Sequence, residues 1–155
     1  AGDMSYVWTR EGWLCLAVIL DLHARRVIGW AIGNRRKQDL ALRYLDIAIA
    51  LRRPPPGCIH HTDRGAQYCA HEYQKHLRRH KLRPSMSCKG YCYDNVAVET
   101  FFTTIKAELM GLRSWETRRQ AEMAIFEHIN GFYNPRRRHS ALGWKSPVAF
   151  EKKVA

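Results

Sequence analysis

Three acids draw attention in a chain of 155 residues that is otherwise strongly basic, with 26 Lys and Arg against 14 Asp and Glu and a net charge of +12. Asp3 opens an apolar run, Asp63 stands in the turn Thr62-Asp63-Arg64-Gly65, and Glu99 falls about one turn into a helical stretch. Taken singly, each has an ordinary reading: a solvated terminal residue, an Asx-turn residue before Gly65, and a first-turn acid favoured by the helix dipole. Taken together, strand ends and a helix start can bring three carboxylates to one rim of a sheet. Like charges packed there need a cation. Hard oxygen ligands select Mg²⁺ or Mn²⁺, and two such ions can stabilise both the attacking and the leaving oxygen in phosphoryl transfer.

The rest of the composition is compatible with that chemistry. An isoelectric point near 9.9 implies a polyanionic partner, foremost a nucleic acid. With 46% hydrophobic and 11% aromatic residues, the chain can bury one core and is not a disordered tail. The five cysteines (Cys15, Cys58, Cys69, Cys88, Cys92) are odd in number and follow no leader-like segment, which argues against a secreted disulfide framework and for a reducing cytoplasm. Cys58 and Cys69 are expected to act as small buried hydrophobes. The longest apolar run, residues 13–20, is far short of the ~20 residues that span a bilayer, so no membrane partner is expected.

The elements that must position the acids follow from patterning. Residues 4–8, 13–20 and 27–32 read as an antiparallel meander, the first pair joined by the turn Thr9-Arg10-Glu11-Gly12. The middle run is apolar at every position, as a strand covered on both faces must be. A helix over 38–52, with Leu42, Leu45 and Ile49 on one stripe, stops at Pro54-Pro55-Pro56. A strand over 58–61, a helix over 70–80, a strand over 83–86, a helix from Asp94 or Asn95 through Leu109, and a helix over 116–132 complete the order. The expectation is one domain over 1–155: a mixed sheet of three antiparallel and two parallel strands flanked by helices, with a basic tail over 133–155.

Between Asp63 and Glu99 lie 35 residues. Here the chain resembles the integrase catalytic core of bacterial insertion-sequence transposases (OrfB type) in the retroviral-integrase superfamily. The resemblance rests on Gly2-Asp3-Met4-Ser5-Tyr6, on Leu20-Asp21-Leu22-His23-Ala24-Arg25-Arg26-Val27-Ile28-Gly29-Trp30, and on His61-Thr62-Asp63-Arg64-Gly65-Ala66-Gln67-Tyr68. It continues through Ser85-Met86-Ser87 with Gly90, then Asp94-Asn95-Val96-Ala97-Val98-Glu99-Thr100-Phe101-Phe102, Lys106 and Glu108, and in the tail Tyr133-Asn134, Arg137, His139, Leu142 and Ser146-Pro147. Met4-Ser5 where Ile-Thr is usual, Cys88 and Cys92, and Val96 for Ala depart from the pattern without touching the acids.

The resemblance implies a ribonuclease H-like fold and a DNA transposase: metal-dependent strand cleavage and strand transfer in the integration and recombination of a mobile element. Asp3, Asp63 and Glu99 would be both catalytic residues and ligands of two Mg²⁺ or Mn²⁺ ions, with no small-molecule cofactor. DNA would be the partner, at element ends and target, and the acting form a homo-oligomer, in the bacterial cytoplasm and on the nucleoid. Full-length relatives carry a DNA-binding region before this core, so this chain is expected to be the catalytic core without it. Lys106 shares a helical stripe with Asn95, Glu99 and Thr103, and is expected to hold a phosphate of the DNA end. Lys89, Arg64, Asn95, Arg136, Arg137 and Arg138 are the other expected DNA contacts, while Gly65, Tyr133 and His139 would shape the site. Two alternatives compete: a nuclease of the same fold, and a zinc-stabilised DNA-binding module built from Cys58, His60, His61, Cys69 and His71.

Overall fold

The computed structural model describes residues 1–35, 37–88, 95–111 and 113–155. The meander forms as β1 (Gly2–Thr9), β2 (Gly12–Leu20) and β3 (Val27–Gly33), antiparallel throughout. Gly12 takes φ 115° at the hairpin, a conformation only glycine adopts without strain, while the Thr9 hydroxyl donates to the Gly12 carbonyl at 2.7 Å. After α1 (Gln38–Arg52), β4 (Ile59–Thr62) and β5 (Arg83–Met86) pair in parallel, connected by the short α2 (Ala66–Cys69) and α3 (His71–Arg79). The expected mixed sheet is thus described as two ladders, with β1 lying against β4. Then come α4 (Val96–Ile105), α5 (Arg118–Phe126) and α6 (Pro147–Val154).

β2 organises the core. Leu14, Leu16, Val18 and Leu20 pack with Val98, Phe101, Phe102 and Ile105 of α4 and with Ala121 and Ile125 of α5. The alternate residues Cys15, Ala17 and Ile19 pack on Leu40, Ala41, Tyr44, Leu45 and Ala48 of α1. The α1 stripe therefore runs through Leu40, Tyr44 and Ala48 rather than Leu42 and Ile49, which lie at its partly buried margins. Close packing selects this phase: a Cβ on Gly29 of β3 would lie 2.4 Å from the Tyr44 carbonyl, so α1 sits almost in contact with the strand backbone.

Local signals end the helices. Arg53 turns left-handed (φ 44°) before the three prolines and closes α1. Thr117 and Gln120 form a reciprocal capping box at α5, and Ser146 caps α6 with Pro147 in its first turn. α4 and α5 each continue as a π-type turn, Lys106–Met110 and Glu127–Tyr133, marked by bonds from Gly111 N–H to the Lys106 carbonyl (2.7 Å) and from Asn134 N–H to the Ile129 carbonyl (3.0 Å).

Two polar anchors sit inside this frame. Asn134, buried, accepts from Val27 N–H and donates to Val27 C=O, both at 2.9 Å, so a side chain from the end of the α5 extension completes the start of β3. Between β4 and the helices, His60 Nε2 and the Tyr73 hydroxyl lie 2.7 Å apart, next to the fully buried Tyr44 and Tyr68. Burial first, then the nearby N-terminus and His61, push the His60 pKa down to about 3, so it is neutral in the fold.

Asn134→Ala strands two buried backbone groups and is expected to lower unfolding stability by about 3 kcal/mol in urea titrations. For His60, the unfolded chain takes up a proton near pH 6.5 that the fold refuses until about pH 3. The unfolded state therefore binds more protons in that window, and stability falls as pH drops through it. The urea midpoint should fall less between pH 7 and pH 4.5 in His60→Gln than in the parent chain.

Candidate metal and DNA site

Asp3 is the second residue of β1 and pairs with Val18, whose side chain belongs to the core under α4. Antiparallel partners share a face, so Asp3 emerges on the side that α4 covers. Its neighbour Gly2 faces the other way, where a Cβ would come within 3.1 Å of the Tyr44 hydroxyl and 3.3 Å of the His60 ring. That close approach seats the start of β1 on β4. Asp63 follows β4 directly, and its Oδ1 accepts from Gly65 N–H at 2.8 Å, so the Asx turn forms and orients the carboxylate. Asp3 Oδ1 is likewise fixed by Met4 N–H at 2.7 Å. Burial chiefly holds the Tyr68 hydroxyl well above its ordinary pKa, with smaller contributions from Asp3, Tyr73 and Asp63.

Glu99 occupies the first turn of α4 and is exposed. The ligand atoms of Asp3, Asp63 and Glu99 are not gathered within 4.8 Å of one another; among the described residues the group that meets this condition is Asp46, His76 and His80. The expected stripe on α4 holds in part. Glu99, Thr103 and Lys106 are exposed, but Asn95 is buried: it stands outside the helix as its N-cap, with φ −120°, and turns inward. Lys106 begins the π-type turn, seven residues after Glu99.

Beside α4 opens a cleft of about 650 Å³ lined by Arg25, Asn95, Thr100, Arg137, Arg138, His139 and Trp144, among others. Arg136 and Arg138 are exposed, whereas Arg137 grips both oxygens of Glu108 through Nε at 2.8 and 3.1 Å. Arg64 donates from Nε to the Ser87 carbonyl at 2.8 Å, tying the Asp63 turn to the segment after β5. Tyr133 is buried edge-on between Phe101 (4.9 Å) and His139 (5.2 Å). Burial, followed by the Arg137 and Arg25 charges, lowers the His139 pKa. Lys89 and Asp94 lie outside the described residues.

Of the residues of the alternative zinc module, His60 and His61 have other partners. His60 bonds Tyr73, and His61 meets the Ser85 and Ser87 hydroxyls at 2.8 and 3.1 Å. Cys58 and Cys69 are exposed rather than buried, because Cys58 precedes β4 at its solvent end and Cys69 ends α2 with its thiol toward the Arg64 carbonyl. Sequence reasoning missed the Asp46, His76 and His80 group, although the four-residue spacing of the two histidines on a helix was available as a signal.

Two family models, both described as integrase core domain, match residues 1–92 and 80–147. The chain is 47% identical over 153 residues to the transposase InsF for insertion sequence IS3A of Escherichia coli K12, covering 99% of this chain and 53% of that protein. It is 44% identical to an uncharacterized 31 kDa protein of insertion element IS600 from Shigella sonnei, covering 97% of this chain and 56% of that one. It thus spans about half the length of these curated relatives. Among solved structures, the HTLV-2 integrase catalytic core in complex with magnesium superposes with TM-score 0.70 at 16% identity, covering 96% of this chain and 92% of that one. A chain of the simian T-cell lymphotropic virus intasome with PP2A regulatory subunit B56 gamma gives 0.76 at 17%, covering 96% and 52%. The two ladders and their flanking helices are therefore a ribonuclease H-like fold, and the chain belongs to the integrase core domain family.

Proposed function

We propose that this chain is the catalytic core of a DNA transposase that cleaves a DNA strand and joins the freed 3′ end to a second phosphodiester, using Asp3, Asp63 and Glu99. The observation that carries the reading is the placement of the acids. Asp3 on β1 emerges on the face covered by the helix that bears Glu99, and Asp63 follows β4, which lies against β1. An all-oxygen donor set with one oxygen of each aspartate held by a backbone N–H suits Mg²⁺ or Mn²⁺. Asp3, Asp63 and Glu99 would together hold the ions, two in this reading. When bound, the ions supply Lewis-acid activation of water or a 3′-hydroxyl and neutralise charge on the phosphoryl oxygens.

The chain's own groups then bind and orient. Lys106 lies on the exposed side of α4 two turns after Glu99 and would take a phosphate of the DNA end. Arg138, exposed at the cleft, and the exposed Arg136 would take others, while Arg137 is a brace on Glu108 that lines the cleft. Asn95, being buried, would support the start of α4 rather than meet DNA. DNA of mobile-element ends and target, a homo-oligomeric acting form and a cytoplasmic setting belong to the same proposal. No helix among the described residues is long and apolar enough to cross a membrane.

Glu99→Gln and Asp63→Asn should each abolish Mn²⁺-dependent nicking and joining of a labelled DNA duplex while leaving filter binding intact; an active variant would remove that residue from the centre. For the cations, the slope of log binding constant against log salt separates roles. Lys106→Ala, Arg136→Ala and Arg138→Ala are each expected to reduce it by about one. Arg137→Ala should instead cost about 1 kcal/mol of stability, and a full unit of slope from Arg137 would show that it meets DNA and not only Glu108.

A further inference from the structure

We propose that Asp46, His76 and His80 form a second metal site, for Zn²⁺ or a cation of similar preference, that staples α1 to α3 on the face away from α4. Asp46 projects from α1, His76 from the last turn of α3, and His80 from its C-cap. One ligand atom from each lies within 4.8 Å of the others. His76 Nε2 is already 2.6 Å from Asp46 Oδ1, and the two imidazole rings stand 4.8 Å apart between centroids.

The spacing is one helical turn, so the two histidines share a face, and the His80 N–H donates to the His76 carbonyl at 3.2 Å, which holds the turn closed. A cation here also meets the negative end of the α3 dipole. The neighbouring cations Lys75, Arg78 and Arg79 are exposed. Two imidazoles and one carboxylate are borderline-soft donors, unlike the three carboxylates of Asp3, Asp63 and Glu99, and this set favours zinc over magnesium. Three protein ligands leave a fourth position for water. α3 hangs from the segment that begins at the Asp63 turn, so a metal tie between α1 and α3 fixes the path of the chain leaving that turn.

The proposal is tested on the 155-residue chain, freed of metal and titrated with Zn²⁺ against a chromophoric chelator in millimolar Mg²⁺. One equivalent should bind, and Co²⁺ in its place should give visible absorption of a nitrogen- and oxygen-ligated ion. Binding should weaken by roughly two orders of magnitude in His76→Gln/His80→Gln and in Asp46→Asn, and persist in Asp63→Asn. Circular dichroism of the metal-free variants checks that they fold, and saturating zinc should raise Tm of the parent by roughly 5–10 °C, but not that of the double variant. Undiminished binding in folded variants, absence of a stoichiometric equivalent in the parent, or loss of it in Asp63→Asn would each overturn the site.

Discussion

Burial of β2 on both faces is the constraint from which the rest of the structure follows. Its alternate side chains enter separate cores, so the sheet must carry helices on both sides, and the chain must supply α1 to one and α4 with α5 to the other. β1 pairs with β2 in a register that places Asp3 opposite Val18, and hence toward α4. The face on which the acid emerges is thus set by apolar burial, and Met4 N–H then holds its carboxylate. Gly2 and Gly29 serve the opposite face, where Tyr44 and His60 come too close for a side chain.

The electrostatics are unusual for so basic a chain. Asp3 and Asp63 stand at the start of β1 and the end of β4, two strands that lie against each other, while most of the described cations are exposed. Asp3 and Asp63 each lean on a backbone N–H, which offsets part of the repulsion and holds the group's direction. Elsewhere acids are matched to arginines: Glu151 joins Arg26 and Arg52, and Asp21 also reaches Arg52, so the tail is fastened by charge as well as by Asn134.

How legible this was depended on which physical signal decided each position. The continuous apolar run of β2 and the acids' flanking motifs could be read directly, because burial and turn chemistry act locally. The phase of α1 could not, since Tyr44 and Ala48 win over Leu42 and Ile49 only when Gly29 lets the helix approach. Asn95 was placed on a helical stripe, yet its non-helical φ as N-cap turns it inward. Arg137 looked like part of a free basic run, and nothing in its neighbours announced that Glu108, 29 residues away, would hold it. The grouping of Asp46, His76 and His80 was hidden for the same reason, because Asp46 meets His76 only through packing of α1 on α3.

The two π-type turns have a common cause. Phe101, Ile105 and Leu109 are buried at intervals of four, and so are Ile125, Ile129 and Tyr133. An ideal α-helix turns 400° in four residues, so such a series drifts by about 40° per step and would leave the sheet within three steps. Widening the turn over Lys106–Met110 and Glu127–Tyr133 counters the drift and keeps both stripes on the core. The consequences reach the functional side. With Leu109 held down, Lys106 and Glu108 stay exposed, the first on the side of Glu99 and the second within reach of Arg137. With Tyr133 held down, Asn134 arrives at Val27 and turns the basic tail along the cleft beside α4. The packing demand of the core thus places the cations that the carboxylates' chemistry would use.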